Sequence, residues 1–255
     1  MTARYFRYVA LGDSFTEGVG DELPDGRVRG WADFVALGLQ AAAHEPIGYA
    51  NLAIRGRKLG PIIAEQLEPA LALKPDLISF NGGGNDIMRP RVAINWVVDE
   101  TVKLVNRALE EPDLSIVVLA GANPSRHLPM GGLMQKRGDQ LADAVFAALK
   151  DPRVTIVNNW ADETLTDIRY WSPDKLHLNA LGHARVASNV LTALGVPVPP
   201  EWGVDEVAAA ASGPRSRNTA AYYREFVLPW IGRRVTGRSS GDGREPKRAT
   251  LLPVD

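Results

Sequence analysis

Apolar positions along the chain follow two alternating patterns. Short apolar runs at residues 5–11, 47–52, 76–80, 114–120 and 154–157 have the length and composition of buried strands. The run at 114–120 is nearly unbroken, which predicts a strand covered on both faces. Between these runs lie longer stretches with apolar residues at helical spacing, at 31–43, 59–73, 90–109, about 132–149 and 180–194. Pro46 stops the first, because proline cannot continue a helix. Pro61 falls in the first turn of the second, where it is tolerated. Asn179 is placed to cap the last.

Strands alternating with helices predict a parallel sheet with helices on both faces. The expected fold is a three-layer α/β/α sandwich around a five-stranded parallel sheet in the flavodoxin-like order 2-1-3-4-5. Residues 1–196 form the predicted catalytic domain. The chain changes character after Gly195, where Val196-Pro197-Val198-Pro199-Pro200 breaks regular structure. From Pro214 onward nine Lys or Arg stand against four Asp or Glu. Residues 197–255 therefore read as a partly helical basic extension, with 220–231 aromatic-rich and 239–248 disordered. Such a tail either folds back on the core or makes weak contact with a surface or partner.

Bulk composition narrows the function. A chain of 255 residues with 45% hydrophobic content builds a sizeable core. A formal net charge of −1 gives no reason to expect a nucleic-acid partner. The absence of cysteine excludes disulfides, thiolate metal sites and thiol redox chemistry. No signal peptide is read at the N-terminus, and no apolar stretch reaches membrane-spanning length, so the expected location is cytoplasmic.

The chemistry gathers at the predicted ends of strands. Gly12-Asp13-Ser14 follows the first strand, at the edge where open parallel sheets bind ligands. A serine there caps a helix or acts as a nucleophile beside backbone N–H groups. His177 directly precedes the last helix, with Asp174 three residues earlier in the same loop. A turn of that length delivers a carboxylate to Nδ1 and leaves Nε2 free to act as a base on Ser14. The Ser14 N–H, the Gly56 N–H and the Asn85 side-chain amide fall after the first three strands and form a candidate oxyanion site.

Gly12-Asp13-Ser14, Gly56, Gly83-Gly84-Asn85-Asp86 and Asp174-Lys175-Leu176-His177 resemble, in order, the four signature blocks of the SGNH (GDSL) hydrolases. The resemblance implies Ser14 as nucleophile, His177 as base and Asp174 as its orienting partner. It also implies Ser14, Gly56 and Asn85 as oxyanion donors. It further implies the three-layer fold and action on esters, thioesters or acylated sugars, with no metal and no organic cofactor. The Gly-x-Ser-x-Gly elbow of the other α/β hydrolases is absent around Ser14.

Specificity has weaker signals. The segment 122–134 carries Leu128, Met130, Leu133 and Met134 and is a candidate acyl-pocket wall. Arg55, Arg57 and Arg89 lie near the site in sequence; they either favour an anionic substrate or, for two of them, are solvated surface charges. Trp31, at an apolar position of the helix predicted at 31–43, either packs in the core or stacks on a sugar, and core packing is the favoured reading. The expected activity is hydrolysis of a small ester or acylated sugar. The alternatives are acyl transfer to an alcohol at the same site and a pocket that binds acyl or carbohydrate ligands without turnover.

Overall fold

The computed structural model describes residues 5–128, 131–202, 220–229, 232, 236 and 239–254. Five parallel strands form the centre: β1 (Arg7–Leu11), β2 (Gly48–Asn51), β3 (Leu77–Phe80), β4 (Ser115–Ala120) and β5 (Val154–Asn158). Their spatial order is β5-β4-β3-β1-β2, the flavodoxin-like order expected for this fold class, and β6 (Arg248–Pro253) extends it beyond β2. The sheet therefore has six strands rather than five, and β6 runs antiparallel to β2.

Residues alternate between the two faces of the sheet, and each face buries its own core. On one face Tyr8, Ala10, Val117 and Leu119 pack against helices α2 (Trp31–Ala42) and α8 (Ala180–Ala193). On the other, Val9, Leu11, Ile116 and Val118 pack against α6 (Ile94–Ala108) and α7 (Gly131–Ala148). This second layer also includes α3 (Leu59–Ile62) and α4 (Glu68–Ala72). Helices on both faces explain why the strand sequences are apolar without alternation.

Three details depart from the sequence reading. The stretch 90–109 becomes helical only at Ile94, because α5 (Gly84–Ile87) and a turn use the preceding residues. A π-helical turn, Ile63–Leu67, joins α3 to α4. Residues 239–247, expected to be disordered, make specific contacts that lead into β6. β6 gives little sequence signal because it is a largely exposed edge strand that begins with Arg248 and ends at Pro253. Among the described residues, no helix is long and apolar enough to cross a membrane.

Candidate active site

Strand order reverses at β1 and β3, which lie side by side while their connections run to opposite edges. A crevice opens at the carboxyl ends of such a pair. Ser14 leaves β1 there, at the start of the short helix α1 (Ser14–Glu17), and Asn85 leaves β3 in α5. Asp13 caps α1, its carboxylate accepting the Phe15 N–H at 3.1 Å. Gly12 has φ +153°, and a methyl group on it would lie 2.5 Å from Thr16 Oγ1 and 2.7 Å from the Asn81 carbonyl oxygen. The turn before Ser14 therefore requires glycine.

The loop carrying His177 closes on itself. Ser172 N–H donates to the His177 carbonyl at 2.9 Å, and Trp171 and Leu178 form an antiparallel bridge. Asp174 Oδ1 accepts from Ser172 Oγ at 2.6 Å and from the Leu176 and His177 N–H groups at 2.9 Å each. Its other oxygen lies 2.6 Å from His177 Nδ1. His177 Nε2 lies 3.0 Å from Ser14 Oγ. Residues separated by 163 positions thus form one hydrogen-bonded line. Burial pushes the Asp174 carboxyl up, but the His177 hydrogen bond and charge outweigh it and hold the group well below the usual carboxylate range.

The three candidate oxyanion donors occupy the neighbouring wall of the crevice. The Ser14 and Gly56 N–H groups find no acceptor among the described residues. Gly56 has φ +74°, a conformation natural to glycine. Its turn is clamped from within by Glu17, which accepts the Arg55 N–H at 2.6 Å and the guanidinium at 2.6 and 2.9 Å. Asn85 Nδ2 donates to Asp13 Oδ2 at 2.9 Å and to the Arg57 carbonyl at 3.0 Å. Burial pushes the Asp13 carboxyl up to about 6, partly offset by its Phe15 hydrogen bond and by His177.

Ser14 and His177 open into a cleft of about 1020 Å³. Its apolar lining includes Val118 of β4 and Leu141, Val145 and Phe146 of α7. Leu128, Leu133 and Met134 line the same cleft, and Arg89 stands exposed at its rim. Met130 lies outside the described residues. Trp31 does not line the cleft: it is fully buried, its ring 5.8 Å from Phe15, so it presents no face for stacking on a sugar. Arg55 is neutralised by Glu17, and Arg57 is paired with Glu65 at 2.9 Å. No group of three or more acidic, histidine or cysteine side chains among the described residues could hold a metal ion.

This geometry agrees with the sequence comparison. The family model of the GDSL-like lipases and acylhydrolases matches residues 10–185. The chain belongs to that family. It is a carboxylic ester hydrolase of the GDSL type. No curated protein matches it. Solved structures share its fold at low identity. A lipase from a goat rumen metagenome is 19% identical with a TM-score of 0.65, over 76% of this chain and 100% of its own. An acetylxylan esterase from Geobacillus stearothermophilus is 20% identical with a TM-score of 0.58, over 77% of this chain and 96% of its own. Other structures of that esterase are described as catalytic mutants, which replace a serine, an aspartate and a histidine. An α/β hydrolase from a Lake Arreo metagenome is 21% identical with a TM-score of 0.56, over 76% of this chain and 97% of its own.

Several supporting contacts had no sequence signal, although Asp86 itself falls in the third of the motif blocks. Gln66, in the π-helical turn, pairs with both backbone groups of Gly12 at 2.9 Å. Asp86 Oδ2 accepts the Leu59 N–H at 2.8 Å and ties the third block to the helix after the second. The Glu17–Arg55 clamp joins the first block to the second. Each contact spans 27 residues or more, so no local pattern announces it.

Proposed function

We propose that this hydrolase works through an acyl-enzyme on Ser14, with His177 as general base and Asp174 as its orienting partner. The observation that carries the reading is the unbroken line from Asp174 through His177 to Ser14 Oγ, at 2.6 and 3.0 Å. His177 Nε2 takes the proton as Ser14 attacks the ester carbonyl. The oxyanion is held by the unclaimed Ser14 and Gly56 N–H groups and by the Asn85 amide hydrogen that otherwise faces Asp13. His177 then returns the proton to the leaving alcohol, and water releases the acyl group by the reverse sequence. The apolar side chains of β4 and α7 that line the cleft suit the acyl chain.

A fluorophosphonate probe is expected to label Ser14, located by peptide mapping. Ser14→Ala is expected to lose labelling and on the order of 10⁴ or more in turnover. Full labelling or retained esterase activity in that variant contradicts the proposal.

A further inference from the structure

The cleft has a side that the family match does not reach. That match ends at residue 185, yet Tyr222, Phe226, Ser239 and Ser240 line the same cleft as Ser14 and His177. They come from two pieces of the C-terminal extension. The first is α9 (Ala220–Tyr222) and the π-helical turn Tyr223–Val227 that continues it. The Tyr222 hydroxyl donates to the Asp174 carbonyl at 3.1 Å, and the Lys175 ammonium lies 4.6 Å from the Tyr222 ring centroid. This piece is therefore fastened to the loop that carries His177.

The second piece, residues 239–241, lies against the Gly56 turn. A methyl group on Gly56 would sit 2.5 Å from Ser239 Oγ and 2.8 Å from Ser240 Oγ. Ser239 N–H donates to Asp242 Oδ2 at 2.8 Å, and Gly241 N–H donates to Ser239 Oγ at 3.2 Å. Ser239 Oγ is the acceptor in that bond, so its own proton is available to a ligand. The piece is anchored downstream. The Lys247 ammonium donates to the Glu17 and Val28 carbonyls at 2.6 and 3.1 Å and to Asp33 Oδ2 at 2.5 Å, and β6 completes the sheet.

We infer that the C-terminal extension is the alcohol-side wall of the ester site, with Phe226 and the Ser239 and Ser240 hydroxyls selecting the leaving alcohol. The inference rests on the roles proposed above for Ser14 and His177. A leaving alcohol takes its proton from His177 Nε2 and so departs on the His177 side, where Tyr222 fastens the first piece. The acyl chain is assigned to the apolar lining of β4 and α7, formed by Val118, Leu141, Val145 and Phe146. An aromatic ring with two hydroxyls suits an alcohol that has both an apolar face and further hydroxyl groups.

The test varies the two halves of the ester independently in the full-length enzyme. Alcohol selection is read from kcat/KM for methyl butyrate, 2-naphthyl butyrate and glycerol monobutyrate. Acyl selection is read from p-nitrophenyl acetate and octanoate. Phe226→Ala is expected to lower the naphthyl-to-methyl ratio at least tenfold. The double variant Ser239→Ala/Ser240→Ala is expected to lower the glycerol-to-methyl ratio at least fivefold. The octanoate-to-acetate ratio is expected to stay within twofold in both. Alcohol ratios that stay within twofold, or an acyl ratio that moves as far as they do, overturn the inference. The serine double variant alters exposed or half-exposed hydroxyls and decides the matter even if Phe226→Ala fails to fold. Fluorophosphonate labelling of Ser14 in the unaltered enzyme separates the two readings. Labelling with unmoved alcohol ratios faults the wall alone, whereas absent labelling faults the nucleophile.

Discussion

Gln66 holds Gly12 by both of its backbone groups. Its Oε1 accepts the Gly12 N–H and its Nε2 donates to the Gly12 carbonyl, each at 2.9 Å, from a side chain that is 2% exposed. The turn that presents Ser14 is thus fixed by a residue 54 positions away, aimed by a π-helical turn. Such single-turn insertions often accompany functional sites.

Gln66→Leu leaves the buried Gly12 N–H unpaired, at a cost of about 1–3 kcal/mol, while the Gly12 carbonyl keeps only the Ile54 N–H at 3.3 Å. The variant is expected to show a lower urea midpoint and a kcat reduced roughly tenfold or more, since small misplacements of a reacting group are costly. Unchanged kcat in a folded variant would show that Ser14 does not need this brace.

Asn85→Ala removes one proposed oxyanion donor. Loss of such a donor costs about 10²–10³ in kcat. The change is expected in kcat with KM nearly constant, because the donor acts mainly on the charge that develops in the transition state. A kcat within threefold of the parent enzyme, measured at saturating ester, would assign the Asn85 amide to holding Asp13 and the Arg57 carbonyl instead.

His183 makes stability depend on pH. It is fully buried, accepts the Trp31 N–H at Nδ1 (3.2 Å) and faces the Val19 carbonyl through Nε2 (3.3 Å). Burial pushes its pKa down to about 3, only partly offset by the Val19 hydrogen bond, while Lys247, His177 and Arg29 lower it further. The unfolded chain takes up this proton near pH 6.5 and the native state does not until about pH 3. The stability it provides is therefore complete above about pH 6.5 and lost as pH falls toward 3. Between pH 8 and pH 5 the loss from this group is about 2 kcal/mol. In urea titrations, His183→Gln is expected to narrow the difference between the two pH values by about that amount. Parallel pH dependence in both proteins would contradict the assignment.

What the sequence revealed follows from what is local. The five parallel strands announce themselves as apolar runs because both sheet faces are covered, and their alternation with helices implies that they run parallel. Ser14, Asp174 and His177 stand out because each lies in a turn at the same edge of the sheet. β6 did not, because an edge strand with one arginine, one proline and mostly exposed side chains lacks a buried period. Gln66, Glu17 and Asp86 are single polar residues in helical segments, and only the folded chain shows where their side chains reach. Trp31 is open to two readings in the sequence, a sugar platform or, preferably, a core side chain. Contact with Phe15 and full burial place it in the core.

The nucleophile is tested most directly by catching the acyl group in transit. Rapid mixing with p-nitrophenyl acetate, quenched in acid and followed by peptide mass mapping, reports both the first product and the site that carries the acetyl group. The account predicts a burst of p-nitrophenol approaching one equivalent per active site, with one acetyl group on the peptide containing Ser14. Turnover with no acetylated serine, or with the acetyl group on another residue, would contradict it.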